Sequence, residues 1–127
     1  MLDLFAGTGA LGIEALSRGA ADATFVDTDP GAVTRNLAAV GIDAAVHRRD
    51  ALRWLGRAEG SYDLVFPDPP YSSAPSLGDE LTELLPVVLA QNARIVTESD
   101  KRAPLELGFP LEFERDYGDT RIRIHRV

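Results

Sequence analysis

The chain has 127 residues, 20 Asp and Glu against 13 Lys and Arg for a net charge of −7, and no cysteine. That length leaves room for a single core, and the missing cysteine excludes disulfides and thiolate metal sites. The chain contains neither a run of about eighteen apolar residues nor a charged-then-apolar leader, which argues against membrane and secretory classes.

The opening Met1–Phe5 reads as a short apolar strand, followed by a glycine loop and an amphipathic helix. Leu11, Ala15 and Leu16 form that helix's inner face, and it ends near Arg18-Gly19. Gly7, Gly9 and Gly12 match G-x-G-x-x-G, and Asp27 lies twenty residues beyond Gly7, closing the run Ala23-Thr24-Phe25-Val26. This is the pattern of a nucleotide-type pocket, although a glycine-rich turn could arise without one. Charge selects the ligand. A dinucleotide would set a pyrophosphate on the loop and helix N-terminus, but Asp3 stands four residues before Gly7, close to where that anion would sit. S-adenosylmethionine fits better, with an ammonium for Asp3 or nearby carbonyls, a ribose diol for Asp27, and no phosphate.

Thr28 or Asp29 caps a helix over Gly31–Ala39, with Pro30 at its first turn and Val33, Leu37 and Val40 as its core edge. A third strand, Ala44–His47, leads to Asp50-Ala51, where Asp50 can accept from an adenine amine, serve as a plain helix N-cap, or do both. Trp54 reads as a residue packing helix against sheet. His47 and His125 lack a carboxylate at metal-ligand spacing, so no metal site is expected.

A fourth apolar run, Tyr62–Pro67, delivers Asp68-Pro69-Pro70-Tyr71. Each proline fixes φ and removes an N–H, so the carbonyls of Asp68 and Pro69 point outward as acceptors. An exocyclic amine has two N–H donors, and the Asp68 carboxylate with the Pro69 carbonyl can accept both. Tyr71 offers a face on which a base can stack. Ser72–Ser76 reads as an ordinary loop, Leu77–Leu89 as a helix, and Arg94–Glu98 as a fifth strand. Glu112–Tyr117 and Thr120–Val127 alternate at period two across Gly118-Asp119, the pattern of an antiparallel hairpin.

Residues 1–100 hold seven Lys and Arg against fifteen Asp and Glu, while residues 101–127 hold six against five. Arginines collect at Arg48, Arg49, Arg53 and Arg57 and again at Arg115, Arg121, Arg123 and Arg126. Either group could meet phosphates or be an ordinary solvated face. Alternation of strand and helix argues an α/β fold with a parallel, doubly wound sheet and ligands at the carboxyl ends of its strands.

Asp3-Leu4-Phe5-Ala6-Gly7-Thr8-Gly9, Phe25-Val26-Asp27, Asp50-Ala51 and Asp68-Pro69-Pro70-Tyr71 together resemble the class I S-adenosylmethionine-dependent methyltransferases. The likeness is greatest to the RsmD-type enzymes, which methylate N2 of a guanine in small-subunit ribosomal RNA. The resemblance implies a Rossmann-like sheet of order 3-2-1-4-5-7-6 with an antiparallel C-terminal hairpin. It implies S-adenosyl-L-methionine as cofactor, with Asp3, Phe5, Gly7 and Gly9 around the methionine moiety, Asp27 on the ribose, Asp50 near the adenine, and Ala6, Thr28 and Ala51 also among the cofactor-binding residues. Asp68, Pro69, Pro70 and Tyr71 become the catalytic residues. The implied partner is ribosomal RNA or the assembling small subunit in the cytoplasm, met by a monomer without metal or membrane. An adenine-N6 DNA methyltransferase would carry a very similar tetrapeptide, and a catalytically silent cofactor-binding module would keep the glycine loop. Members of this family usually carry a further N-terminal stretch of some tens of residues, so residues 1–127 are expected to form one methyltransferase domain lacking that extension. Fraying of the first strand and weakened cofactor and RNA binding are expected with it.

Overall fold

The computed structural model describes every residue from Met1 to Val127. The strands are β1 (Leu2–Leu4), β2 (Thr24–Asp27), β3 (Ala45–Arg48), β4 (Tyr62–Pro67), β5 (Leu89–Asp100), β6 (Leu111–Tyr117) and β7 (Thr120–Arg126). Between them run α1 (Ala10–Ser17), α2 (Gly31–Val40), α3 (Ala51–Leu55) and α4 (Ala74–Leu84), the last continued by a 3-10 turn over Leu85–Val88. They build one seven-stranded sheet of order β3-β2-β1-β4-β5-β7-β6. The first five strands pair parallel, and β7 and β6 close the edge antiparallel.

Strand alternation explains how the two faces are filled. Leu2 and Leu4 of β1 point to the face covered by α3 and α4, where they join Val26, Leu55, Val65, Leu81, Leu85 and Ile95. Asp3 points the other way. Its strand neighbour is Phe25, which packs with Val33 and Leu37 of α2 on the opposite face. The single acid of β1 is therefore carried under the α1 side of the sheet, and this placement governs the site described below.

Several sequence-based boundaries shift. The first strand is Leu2–Leu4 because Phe5 turns out of the sheet at φ 58°. Met1 is buried, and its carbonyl accepts the Thr24 N–H at 3.0 Å, so the strand start is held. Leu11 is only half-buried, and Gly12 is the α1 residue most fully enclosed. Val40 is 56 % exposed, leaving Val33 and Leu37 as the buried face of α2. The expected loop over 72–76 is partly helical. Ala74, fully buried, opens α4, and Pro75 is tolerated in the first turn, where no intrahelical N–H is needed. The helix stops at Leu84 because Pro86 cannot donate, and the chain tightens into the 3-10 turn. The hairpin forms as expected, with Gly118 at φ 61° in its two-residue turn.

Candidate active site

The glycine loop bends through three left-handed residues, Phe5 (φ 58°), Gly7 (φ 58°) and Gly9 (φ 77°). Four hydrogen bonds fix that path. The Ala6 N–H donates to the Val26 carbonyl at 3.0 Å and the Gly9 N–H to the Ala6 carbonyl at 2.8 Å. The Gly7 N–H donates to Asp27 Oδ2 at 2.9 Å, and the Gly12 N–H to Asp3 Oδ2 at 3.1 Å. Asn36, on α2, adds a bond from its side-chain amide to the Thr8 carbonyl at 2.8 Å. Sequence reading passed over Asn36, because nothing in a helical Arg-Asn-Leu marks one exposed amide as reaching a distant loop.

Asp3 is 1 % exposed beneath this loop. Burial pushes its carboxyl up to about 7; the Gly12 N–H pulls it down, and the charges of Asp68 and Asp27 push it further up. A Cβ on Gly12 would overlap the Phe25 ring and press on Asp3 Oδ2. Glycine is required there by close approach of helix, strand and carboxylate.

At the carboxyl ends of β1, β2, β4 and β5 lies a cleft of ≈ 520 Å³. By strand order, Phe5, Gly7, Val26, Asp27, Thr28, Asp50 and Ala51 line it from β1, β2 and β3, and Asp68, Pro69, Pro70, Tyr71 and Glu98 from β4 and β5 at the other end. Most residues singled out from sequence thus meet on one wall. Asp3, Ala6 and Gly9 do not line it; Asp3 lies beneath the loop, where its Oδ2 accepts the Gly12 N–H. A larger hollow of ≈ 1760 Å³ lies over α1 and the amino ends of the strands. It contains none of the motif residues, and the convergent polar groups of the smaller cleft make that cleft the candidate site.

Asp27 Oδ1 also accepts the Asp29 N–H at 2.8 Å, so two of its roughly four acceptor positions remain for a ligand diol. Asp50 is the N-cap of α3 and accepts the Arg53 N–H at 3.1 Å through Oδ2, with Oδ1 free. Asp68 differs. Its backbone N–H donates to the Leu4 carbonyl at 3.3 Å, which ties the tetrapeptide to β1. Burial and the neighbouring Glu98 charge push its carboxyl up to about 6, with no hydrogen bond to offset them. Tyr71 is 47 % exposed beside it.

Glu98 is absent from the sequence-based site. Only the register reveals it: Val65 pairs with Ile95, and three residues further along each parallel strand stand Asp68 and Glu98. Trp54 packs against the core and lies 5.6 Å from the His47 ring and 6.5 Å from Tyr62. The arginines split into two kinds. Arg94, Arg121, Arg123 and Arg126 pair with Glu112, Asp116, Glu114 and Glu106 around the hairpin, and Arg115 lies over the Tyr117 ring at 5.0 Å. Arg48, Arg49, Arg53 and Arg57 are exposed and make no ion pair. No helix is long and apolar enough to cross a membrane, and no group of three or more His, Cys, Asp and Glu is placed to hold a metal ion.

The family described as Conserved hypothetical protein 95 matches residues 1–126. YlbH of Bacillus subtilis is 40% identical over 98% of this chain and 74% of its own length. The ribosomal RNA small subunit methyltransferase D of Escherichia coli strain K12 is 38% identical over 86% of this chain, and the match spans only 55% of that protein. Among solved structures, yhhF of Escherichia coli superposes with a TM-score of 0.84 at 34% identity, covering 98% of this chain and 73% of that one.

Proposed function

The chain belongs to the Conserved hypothetical protein 95 family of RsmD-type, S-adenosylmethionine-dependent methyltransferases, and from that premise we propose that it methylates the exocyclic N2 amine of a guanine in small-subunit ribosomal RNA. The observation that carries the reading is one cleft with two differently equipped ends. Phe5, Gly7, Asp27 and Asp50 stand at one, and Asp68 through Tyr71 at the other. S-adenosylmethionine supplies an electrophilic methyl carbon on a sulfonium.

On this reading each residue has a task that its geometry supports. The left-handed loop opens Gly7 toward the ligand, while Asp3, bonded to the Gly12 N–H, and Ala6 and Gly9, bonded within the turn, keep that loop in shape. Asp27, with Thr28 beside it, accepts from the ribose hydroxyls, and Asp50 and Ala51 border the adenine. Asp68 and the Pro69 carbonyl accept the two N–H donors of the target amine, Pro70 stiffens the turn, and Tyr71 stacks on the base. Gripping both protons aims the nitrogen lone pair at the methyl carbon, which is chiefly a positioning effect. The N–C bond forms as the S–C bond breaks, leaving a neutral thioether and a cationic nitrogen that gives up one proton to Asp68 or to water. Only the ionised carboxylate can accept both the hydrogen bond and that proton.

The test is radiolabelled methyl transfer from S-adenosylmethionine to naked small-subunit ribosomal RNA, partly assembled small subunits and duplex DNA, followed by nucleoside analysis. Label in N2-methylguanosine supports the reading. Label in N6-methyladenine, or cofactor binding with no transfer to any of the three, overturns it.

A further inference from the structure

Glu98 stands at the cleft end of β5 as Asp68 stands just past β4, and the Val65–Ile95 register sets them side by side across adjoining parallel strands. Both carboxylates line the cleft. Glu98 is half-buried, and no cation or N–H of the chain bonds to it. Setting a second unpaired carboxylate beside the first opposes the ionisation of Asp68, and the fold gains no contact in return. Such an arrangement is relieved when donors enter the cleft.

The chemistry of the entering edge decides which donors. Guanine presents three N–H bonds in a row, two on the 2-amine and one on N1, and flipped bases are read along this Watson–Crick edge. Asp68 and Pro69 take up the amine pair, which leaves the N1–H pointing at the adjacent wall. Adenine has an amine too, but its N1 is an acceptor and would face a carboxylate lone pair to lone pair. We propose that Glu98 accepts the guanine N1–H and thereby selects guanine over adenine at the acceptor end of the cleft. The inference rests on the guanine-N2 reading above and assigns the selectivity to a residue outside the Asp-Pro-Pro-Tyr tetrapeptide.

The test uses the RNA that accepts label, prepared with guanine or with 2-aminopurine at the methylated position. 2-Aminopurine keeps the 2-amine and lacks the N1–H. The wild-type protein should show kcat/KM lower by about ten- to a hundredfold on 2-aminopurine, the worth of one hydrogen bond to a charged group. Glu98→Ala should lose a similar factor on guanine and little on 2-aminopurine, bringing the two substrates within about threefold. Glu98→Gln, which keeps one acceptor oxygen, should recover part of the guanine preference. S-adenosylhomocysteine affinity should be unchanged in both variants, since Glu98 lies at the other end of the cleft. A wild-type protein that treats the two bases alike overturns the proposal without any variant. So does a Glu98→Ala protein that retains the full preference. Absence of N2-methylguanosine from wild-type reactions would instead remove the guanine reading itself.

Discussion

The two halves of the sheet treat their charges in opposite ways. In the half built from β3, β2 and β1, the acids at the rim are bonded to the backbone: Asp3 to Gly12, Asp27 to Gly7 and Asp29, Asp50 to Arg53. The arginines there, Arg48, Arg49, Arg53 and Arg57, are unpaired. In the half built from β4, β5, β7 and β6, Arg94, Arg121, Arg123 and Arg126 are bound to Glu112, Asp116, Glu114 and Glu106, and the rim acids Asp68 and Glu98 accept from nothing in the chain. The difference teaches where binding capacity is held in reserve. Bonded acids shape a loop; unbonded ones wait for a ligand's donors. By the same reasoning, paired arginines hold a hairpin together, and free ones remain available to phosphate.

The sharpest way to break this comparison is to remove the unbonded acid. On the proposed reading Asp68→Ala removes one of the two acceptors for the target amine and should lower kcat by about a hundred- to a thousandfold. S-adenosylhomocysteine affinity should stay within about threefold, and the melting temperature should hold, because Asp68 makes no side-chain bond to the fold. Isothermal titration and single-turnover assays check both. Near-normal turnover with unchanged affinity would show that the grip is assigned to the wrong residue. With Asp68 pushed up to about 6 by burial and Glu98, kcat should also rise with pH through that value. Glu98→Gln should move the rising limb toward lower pH.

The bonded half is tested through its packing. Gly12→Ala sets a methyl group into the Phe25 ring and against Asp3 Oδ2. Overpacking of this kind costs about 1–3 kcal/mol, a drop of several degrees in melting temperature at this chain length, and the distorted loop should weaken cofactor binding alongside it. A variant melting with the wild type would show that the loop is not held as described.

What was legible from sequence follows the same division. Both loops and the hairpin were readable because glycine spacing, the Asp-Pro-Pro turn and period-two alternation are local patterns, whereas the sheet order came from resemblance to the methyltransferases and not from periodicity. Asp27 and Asp68 could be named because each directly follows an apolar run, and Asp50 because it stands between a strand and the start of a helix. Glu98 was missed because it closes the expected strand Arg94–Glu98 beside no glycine or Asp-Pro-Pro motif and gains its meaning only from register with β4. Asp3 was visible, but its bond to the Gly12 N–H was not, because only the alternation of β1 beside Phe25 sets its side chain under α1. Val40 was misjudged because the helical pattern continues where no neighbouring surface covers it, and the start of α4 because small and polar residues around Pro75 read as a loop.

A smaller effect follows from the charge on Asp3. Its folded value, raised to about 7 chiefly by burial, means the folded state holds a proton that the unfolded chain releases near 3.8. The protonated form favours folding, so this contribution is complete below about 3.8 and disappears as pH rises through about 7. Asp3→Asn keeps an acceptor for the Gly12 N–H and removes the titration. Between pH 6 and pH 8 the wild type should therefore lose about 1 kcal/mol relative to that variant, measurable as diverging denaturant midpoints. Parallel midpoints across that interval would place the Asp3 carboxyl outside it.

The smallest expected effect tests the arginines. Binding of a fluorescein-labelled single-stranded RNA, followed by anisotropy across salt concentrations, reports how many phosphates are neutralised, with a slope of about 0.7 per contact for single strands. Arg53→Ala with Arg57→Ala should flatten that slope by about 1.4 if both free cations meet phosphate, with stability within about 0.5 kcal/mol of wild type, as expected for exposed, unpaired side chains. Arg121→Ala with Arg123→Ala should do the reverse, loosening the hairpin by breaking its links to Asp116, Glu114 and Glu106 while leaving the slope nearly unchanged. Equal slope changes from the two pairs would mean that intramolecular pairing does not withdraw an arginine from phosphate, and the contrast between the two halves would then describe folding alone.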